Sequence, residues 1–284
     1  MAGDLTQRRH VVVEFVGLPG VGKSYITRLV VARLAERGVA ASSQALQINH
    51  ELEPWRRVLH KVALCAGEFL RDPAGAARAV RTLARSDQES RVDVARLSYN
   101  WLFLSGLIRR ARGRGGVEIL DEGMIQLVWS IAFAGGEGAV RDCAAVLLAD
   151  PARAVALPDV VVLVDAPLDR VGERLAERGT RASRVDRMGP AERRQALVRG
   201  AALLDEIVSD DTRLVDGSRM LLRRVRNGDP REVAADVVPL VEELVSLGKP
   251  RSAVSPVPRV AEQAPAQPRS APAAAAVARS SSRR

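Results

Sequence analysis

Gly17, Gly22, Lys23 and Ser24 stand in the stretch GLPGVGKS, which fits the spacing G-x-x-x-x-G-K-[ST]. Glycine at these places lets successive backbone N–H groups converge on one phosphate, because no Cβ holds the anion away. The lysine can then reach the outer phosphates of a nucleoside triphosphate such as ATP, and the serine hydroxyl is a ligand for Mg²⁺. Leu18, Pro19, Gly20, Val21 and Tyr25 complete the cradle around the nucleotide. Of 43 Lys plus Arg, only Lys23, Lys61 and Lys249 are lysine, so a lysine at the one place such a loop requires stands out. Magnesium at Ser24 needs a carboxylate beside it, and VEILDE (117–122) ends in Asp121 and Glu122. Asp121 is the expected metal partner of Ser24. A helix cap for the segment that follows is the other reading, and both can hold at once.

These residues need a scaffold. VVVEFV (11–16) is a short run rich in β-branched residues, as in a buried parallel strand. YITRLVVARLAERG follows the loop with apolar residues at 26, 29, 30 and 34 on one helical face, and Gly38 as its stop. Further strands are expected at 39–48, 117–122, 158–167 and 212–218, with helices at 167–178, 190–209 and 230–246. Strands alternating with helices imply a five-stranded parallel sheet covered on both faces, a three-layer α/β architecture. Between the second and third strands, 54–112 reads as a helical insertion on the acceptor side. Within it Val92, Tyr99, Trp101, Leu102, Phe103 and Leu107 are expected to be core. Trp55, Tyr99 and Trp101 fall in the same region, where stacking on a planar acceptor is the alternative, and Arg96 is expected to face solvent.

Several segments in order, LEPW, LDEG, PDVVVLVDAPLDRVGERLAERG, RLVDGSRMLLRRV and DPREVAADVVPLVEEL, resemble those of the thymidylate kinase-like branch of the P-loop nucleoside and nucleotide kinases. The resemblance runs from about residue 10 to 246, with the P-loop as its one specific motif. It implies a P-loop NTPase fold and an ATP- and Mg²⁺-dependent kinase with a mobile arginine-rich lid at about 174–190. Arg170, Arg174 and Arg178 share a helix face by their spacing, and Arg181 and Arg184 follow. Of these, Arg178, Arg181 and Arg184 are expected to act in the lid, while Arg170 is expected to be solvated. Glu53 matches the Glu-Pro that follows the family's second strand. Glu122 departs from the family, which has arginine there. A small-molecule acceptor is implied, a nucleoside monophosphate first. A hydroxyl acceptor deprotonated by Glu53 or Glu122 is the alternative, and a nucleotide-binding regulator with little turnover is a third reading. No Asn-Lys-x-Asp guanine-reading motif and no LSGGQ signature is present, which argues against a GTPase and a transporter ATPase.

Net charge is +9, but residues 248–284 carry seven basic residues against Glu262 alone, which leaves only +3 for residues 1–247. A sequence-specific nucleic-acid surface is therefore not expected. The Pro-, Ala-, Ser- and Arg-rich tail has almost no large apolar side chains to bury and reads as disordered, with weak contact to an acidic partner as its alternative role. Cys65 and Cys143 lack metal-ligand spacing and are expected as buried free thiols. No apolar run is long enough to span a bilayer and no leader is evident, so the cytoplasm is the expected compartment. A homodimer is a further expectation.

Overall fold

A computed structural model describes residues 10–135, 138–148, 156–178, 185–209 and 220–248. Of the expected tail at 248–284, Gly248 ends the last described helix and 249–284 lie outside the described residues, as do the lid residues Arg181 and Arg184.

β1 (His10–Val16) is buried from Val11 onward, so side chains on both of its faces are covered. The loop then leads into α1 (Lys23–Glu36), which buries Ile26, Val30 and Leu34 as the apolar spacing predicts. β3 (Gly116–Leu120), β4 (Val160–Asp165) and β5 (Leu221–Arg226) add to β1, with a two-residue β2 (Ala41–Ser42) at the edge. The order is β2-β3-β1-β4-β5, and every neighbouring pair is parallel. Parallel neighbours need crossovers, and helices supply them on both sides of the sheet. α1 and α10 (Pro230–Gly248) pack together on it, as do α5 (Arg91–Arg112) and α6 (Met124–Ala134). The P-loop thereby emerges at the carboxyl end of the central strand, where ligands of such sheets bind.

Two strands depart from expectation. The segment expected as a strand over 39–48 pairs only at Ala41–Ser42 and turns into α2 (Gln44–His50). The reason is Glu118 of β3, buried at the sheet, whose carboxylate accepts from the Gln44 backbone N–H at 2.6 Å and the Ser42 hydroxyl at 2.6 Å. That carboxylate satisfies the first turn of a helix, and burial raises its pKa despite those bonds. The last strand is LLRRVR at 221–226, whereas the expected one over 212–218 lies outside the described residues. At a sheet edge its arginines turn outward to carboxylates, Arg223 to Glu243 and Arg226 to Asp236, which hides a strand behind a charged sequence.

The 54–112 region is helical, as expected: α3 (Pro54–Arg71), α4 (Pro73–Ala84) and α5. Trp101, Phe103 and Leu107 are buried and Tyr99 and Leu102 partly so, but Val92 is exposed, because it sits in the first turn of α5 beyond the packed length. Arg96 is exposed. α7 (Ala139–Leu148), α8 (Leu168–Glu177) and α9 (Pro190–Val208) complete the described helices, with one 3₁₀ turn at Val185–Arg187. Cys65 and Cys143 are buried free thiols. No helix among the described residues is long and apolar enough to cross a membrane.

Candidate active site

At the loop, Gly22 has φ +97°, and a Cβ there would lie 2.1 Å from the Asn227 side-chain nitrogen. Only glycine fits that place. Asn227 donates to the Val21 carbonyl at 2.7 Å, and Arg174 of α8 reaches the same carbonyl at 3.3 Å and the Asn227 carbonyl at 3.1 Å. These two side chains restrain the Val21 carbonyl by satisfying it with two donors. The amides of Lys23 and Ser24 open α1 with no carbonyl one turn earlier to accept them, so the helix start offers donors and positive potential to phosphate.

Lys23 folds back over the loop and donates to the Gly17 carbonyl at 2.8 Å and the Leu18 carbonyl at 3.3 Å. Burial pushes its ammonium down to about 8, opposed by the nearby Glu122 and Asp121 carboxylates and reinforced by Arg178. Ser24 donates its hydroxyl to Asp121 Oδ2 at 3.0 Å. The other oxygen, Oδ1, is buried and without a partner among the described residues. A buried carboxylate oxygen left open beside a serine hydroxyl is the arrangement a hard cation requires. Among the described residues no cluster of three or more His, Cys, Asp or Glu could hold a metal, so Mg²⁺ would be held jointly by Ser24, the Asp121 side, water and phosphate.

Asp121 does not cap α6. That role falls to Glu14, fully buried on β1, whose Oε1 accepts from the Gln126 backbone N–H at 2.7 Å. Burial pushes the Glu14 carboxyl up to about 7, although the amides from Gly123 to Gln126 pull it down. A Cβ on Gly123 would come within 2.4 Å of this carboxylate, which explains the glycine of LDEG. Gln126 then turns its side chain toward the loop and accepts from the Gly17 N–H at 3.0 Å. The first loop glycine is thus tied through Gln126 and Glu14 to the helix that follows Asp121.

Glu122 is exposed and close enough to act on both Lys23 and Lys61 of α3. Lys61 lies 5.0 Å over the Phe103 ring, with Arg57 nearby on the same inward face. Arg57 donates to the Leu52 carbonyl at 3.2 Å, while its Nε is buried without a partner among the described residues. Glu53 is exposed at the N-cap of α3 and makes no side-chain capping bond. Trp55 is exposed, Tyr99 half-buried and Trp101 buried, so the three aromatics do not share one environment.

On the other side of the loop, a cleft of about 550 Å³ is lined by Gly20, Gly22, Tyr25, Arg174, Arg178 and Asn227–Pro230. Its place beside the loop suits the nucleoside end of a triphosphate whose phosphates lie on the loop. Arg178, at the C-cap of α8, lines this cleft, whereas Arg170 pairs loosely with Glu173 at 3.9 Å in solvent. Sequence reasoning passed over Glu14, Gln126, Asn227, Arg57 and Lys61. Glu14 carried a signal, a carboxylate inside an otherwise apolar strand. The others carried none.

No protein-family model matches the chain, and no curated protein does. Among solved structures it is similar to the thymidylate kinase of Candida albicans, at 12% identity and a TM-score of 0.46, over 85% of this chain and 94% of that one. The strand order, the loop between β1 and α1, and the aspartate beside it make this a P-loop α/β fold.

Proposed function

We propose that the protein is an ATP- and Mg²⁺-dependent small-molecule kinase that transfers the γ-phosphoryl group to a nucleoside monophosphate. The observation that carries the reading is the Ser24–Asp121 pair with its open, buried Oδ1 beside Lys23. Lys23 would exchange the Gly17 and Leu18 carbonyls for the outer phosphates. Ser24 and Asp121 would hold the cation, which would supply positive charge against the charge developing during transfer. Arg178, with Arg181 and Arg184, would close over the nucleotide and exclude water.

The acceptor side supports an anionic acceptor. The family arginine after the aspartate is Glu122 here, yet Arg57 and Lys61 bring positive charge to the same region from α3. An acceptor phosphate would supply the partner that Arg57 Nε lacks. ADP release measured over a panel of nucleoside monophosphates and alcohols tests this. Arg57→Ala is expected to raise the acceptor KM about tenfold or more with the ATP KM unchanged. Turnover only with an alcohol, lost in Glu122→Gln or Glu53→Gln, would overturn the monophosphate acceptor. Nucleotide binding without turnover on any acceptor would overturn the kinase reading.

A further inference from the structure

One face of α6 looks at the phosphate loop. Gln126, Trp129 and Phe133 follow one another on it at helical spacing, and Gln126 already holds the Gly17 N–H. Trp129 is buried, and its indole N–H donates at 2.9 Å to the Gly200 carbonyl in the interior of α9. A buried indole needs such a partner, and here the partner belongs to another helix. Gly200 is a poor helix former in that place, and the space around it explains the residue. A Cβ there would lie 3.0 Å from Leu18 Cδ2, 3.0 Å from Trp129 Cζ2 and 3.4 Å from Phe133 Cε2. Loop, α6 and α9 therefore meet at one glycine, with less room than a methyl group takes. Trp129 also stacks on Phe133, with centroids 4.9 Å apart, and the Arg199 guanidinium lies 4.9 Å over the Phe133 ring.

We infer that Trp129 is a positioning residue for the phosphate loop, clamping Leu18 between α6 and α9 so that the loop keeps its shape when Lys23 turns to phosphate. The role rests on the proposed nucleotide at that loop. Its physical reason lies in the bonds of the lysine. Lys23 donates to the Gly17 and Leu18 carbonyls, and turning to phosphate gives up both. Two ties to those residues outlast the exchange. One is Gln126 to the Gly17 N–H, and the other is the Trp129–Gly200 seat against the Leu18 side chain. α9 is itself braced, since Arg193 donates to the Val185 carbonyl at 3.4 Å and the Met188 carbonyl at 3.0 Å, tying on the 3₁₀ turn before it. Trp129 acts through Leu18 and not on the substrate. Its loss is felt in nucleotide affinity, and its ring registers the response of the loop to nucleotide.

Titration of the full chain with MgATP, followed by tryptophan emission and by calorimetry, tests the role. Emission is expected to change in the parent and hardly at all in Trp129→Phe, which keeps Trp55 and Trp101. Trp129→Phe should raise the ATP Kd about tenfold, as loss of a positioning hydrogen bond does, with the acceptor KM unchanged. Gly200→Ala should raise it about fivefold although alanine is the better helix former, because the methyl group displaces Leu18. Val198→Ala, on the exposed side of α9, should leave it unchanged. An ATP Kd unchanged in both Trp129→Phe and Gly200→Ala, in a parent that binds ATP, overturns the role alone. A loss shared equally by ATP and acceptor, with a lowered melting temperature, also overturns it, since a tryptophan that only stabilises the fold would give that. A parent that binds no ATP overturns it together with the proposed function.

Discussion

Lys23 is the residue on which the chemistry turns, and no other lysine lies in the loop to replace it. Lys23→Ala is expected to lower kcat/KM at least about a hundredfold, as loss of a preorganised donor to developing charge does. Lys23→Arg should fail as well, since a planar fork does not fit a site built for a point charge. Steady-state kinetics against the best acceptor checks both. Asp121→Asn is expected to cost about tenfold to a hundredfold in kcat for every acceptor, with the magnesium requirement shifted upward. Glu14 gives a pH signature. Its carboxyl rises from 4.5 to about 7 on folding, so the folded state holds the proton more tightly than the unfolded one. The protein therefore loses stability from this group as pH climbs from about 4.5 to 7, and no further above it. Glu14→Gln should remove that part of the slope in melting temperature against pH. An unchanged slope would mean that Glu14 is ionised at no cost in the folded protein.

Elements explain why those residues stand where they do. Glu118 on β3 and Glu14 on β1 each reach from a strand to the first turn of a helix, α2 and α6. Such a buried carboxylate satisfies helix donors that no intrahelical carbonyl can. The α6 cap also ties Gln126 to the Gly17 N–H, so the helix after Asp121 helps set the loop. Gln126→Ala is expected to weaken ATP binding about tenfold through loop disorder, with the acceptor KM nearly unchanged and Gln126→Glu restoring little. Titration calorimetry with ATP and KM measurement for both substrates separates this from general destabilisation. Loop, β1 and α1 were legible from spacing, because glycine spacing and a buried run constrain local backbone strongly. The strand over 39–48 was not, since its propensities yield to a carboxylate that arrives from 76 residues away. β5 escaped because an edge strand can carry Arg223, Arg224 and Arg226 when acidic partners stand across from it.

At the scale of the whole molecule, the site lies where α1, α8 and the segment before α10 meet the carboxyl end of β1, so nucleotide binding should brace several elements together. MgATP at a hundredfold its Kd is expected to add about 2.7 kcal/mol and raise the melting temperature by about 5–10 °C, and Lys23→Ala should abolish most of that shift. Thermal unfolding with and without nucleotide measures it. By itself the sequence determined the phosphate loop, the alternation of strands and helices, and Asp121 as partner of Ser24. These follow from local spacing and from periodicity, which act within a few residues of chain. Only the tertiary structure decided that Glu14 and not Asp121 caps α6, and that Arg174 and Asn227 restrain the Val21 carbonyl. It likewise decided which face of α3 looks inward. Periodicity divides a helix into two faces but cannot say which one the fold will cover, and here the charged face turns in and the apolar face turns out. That choice depends on neighbours far along the chain, because burial is a property of the assembled surface and not of the segment.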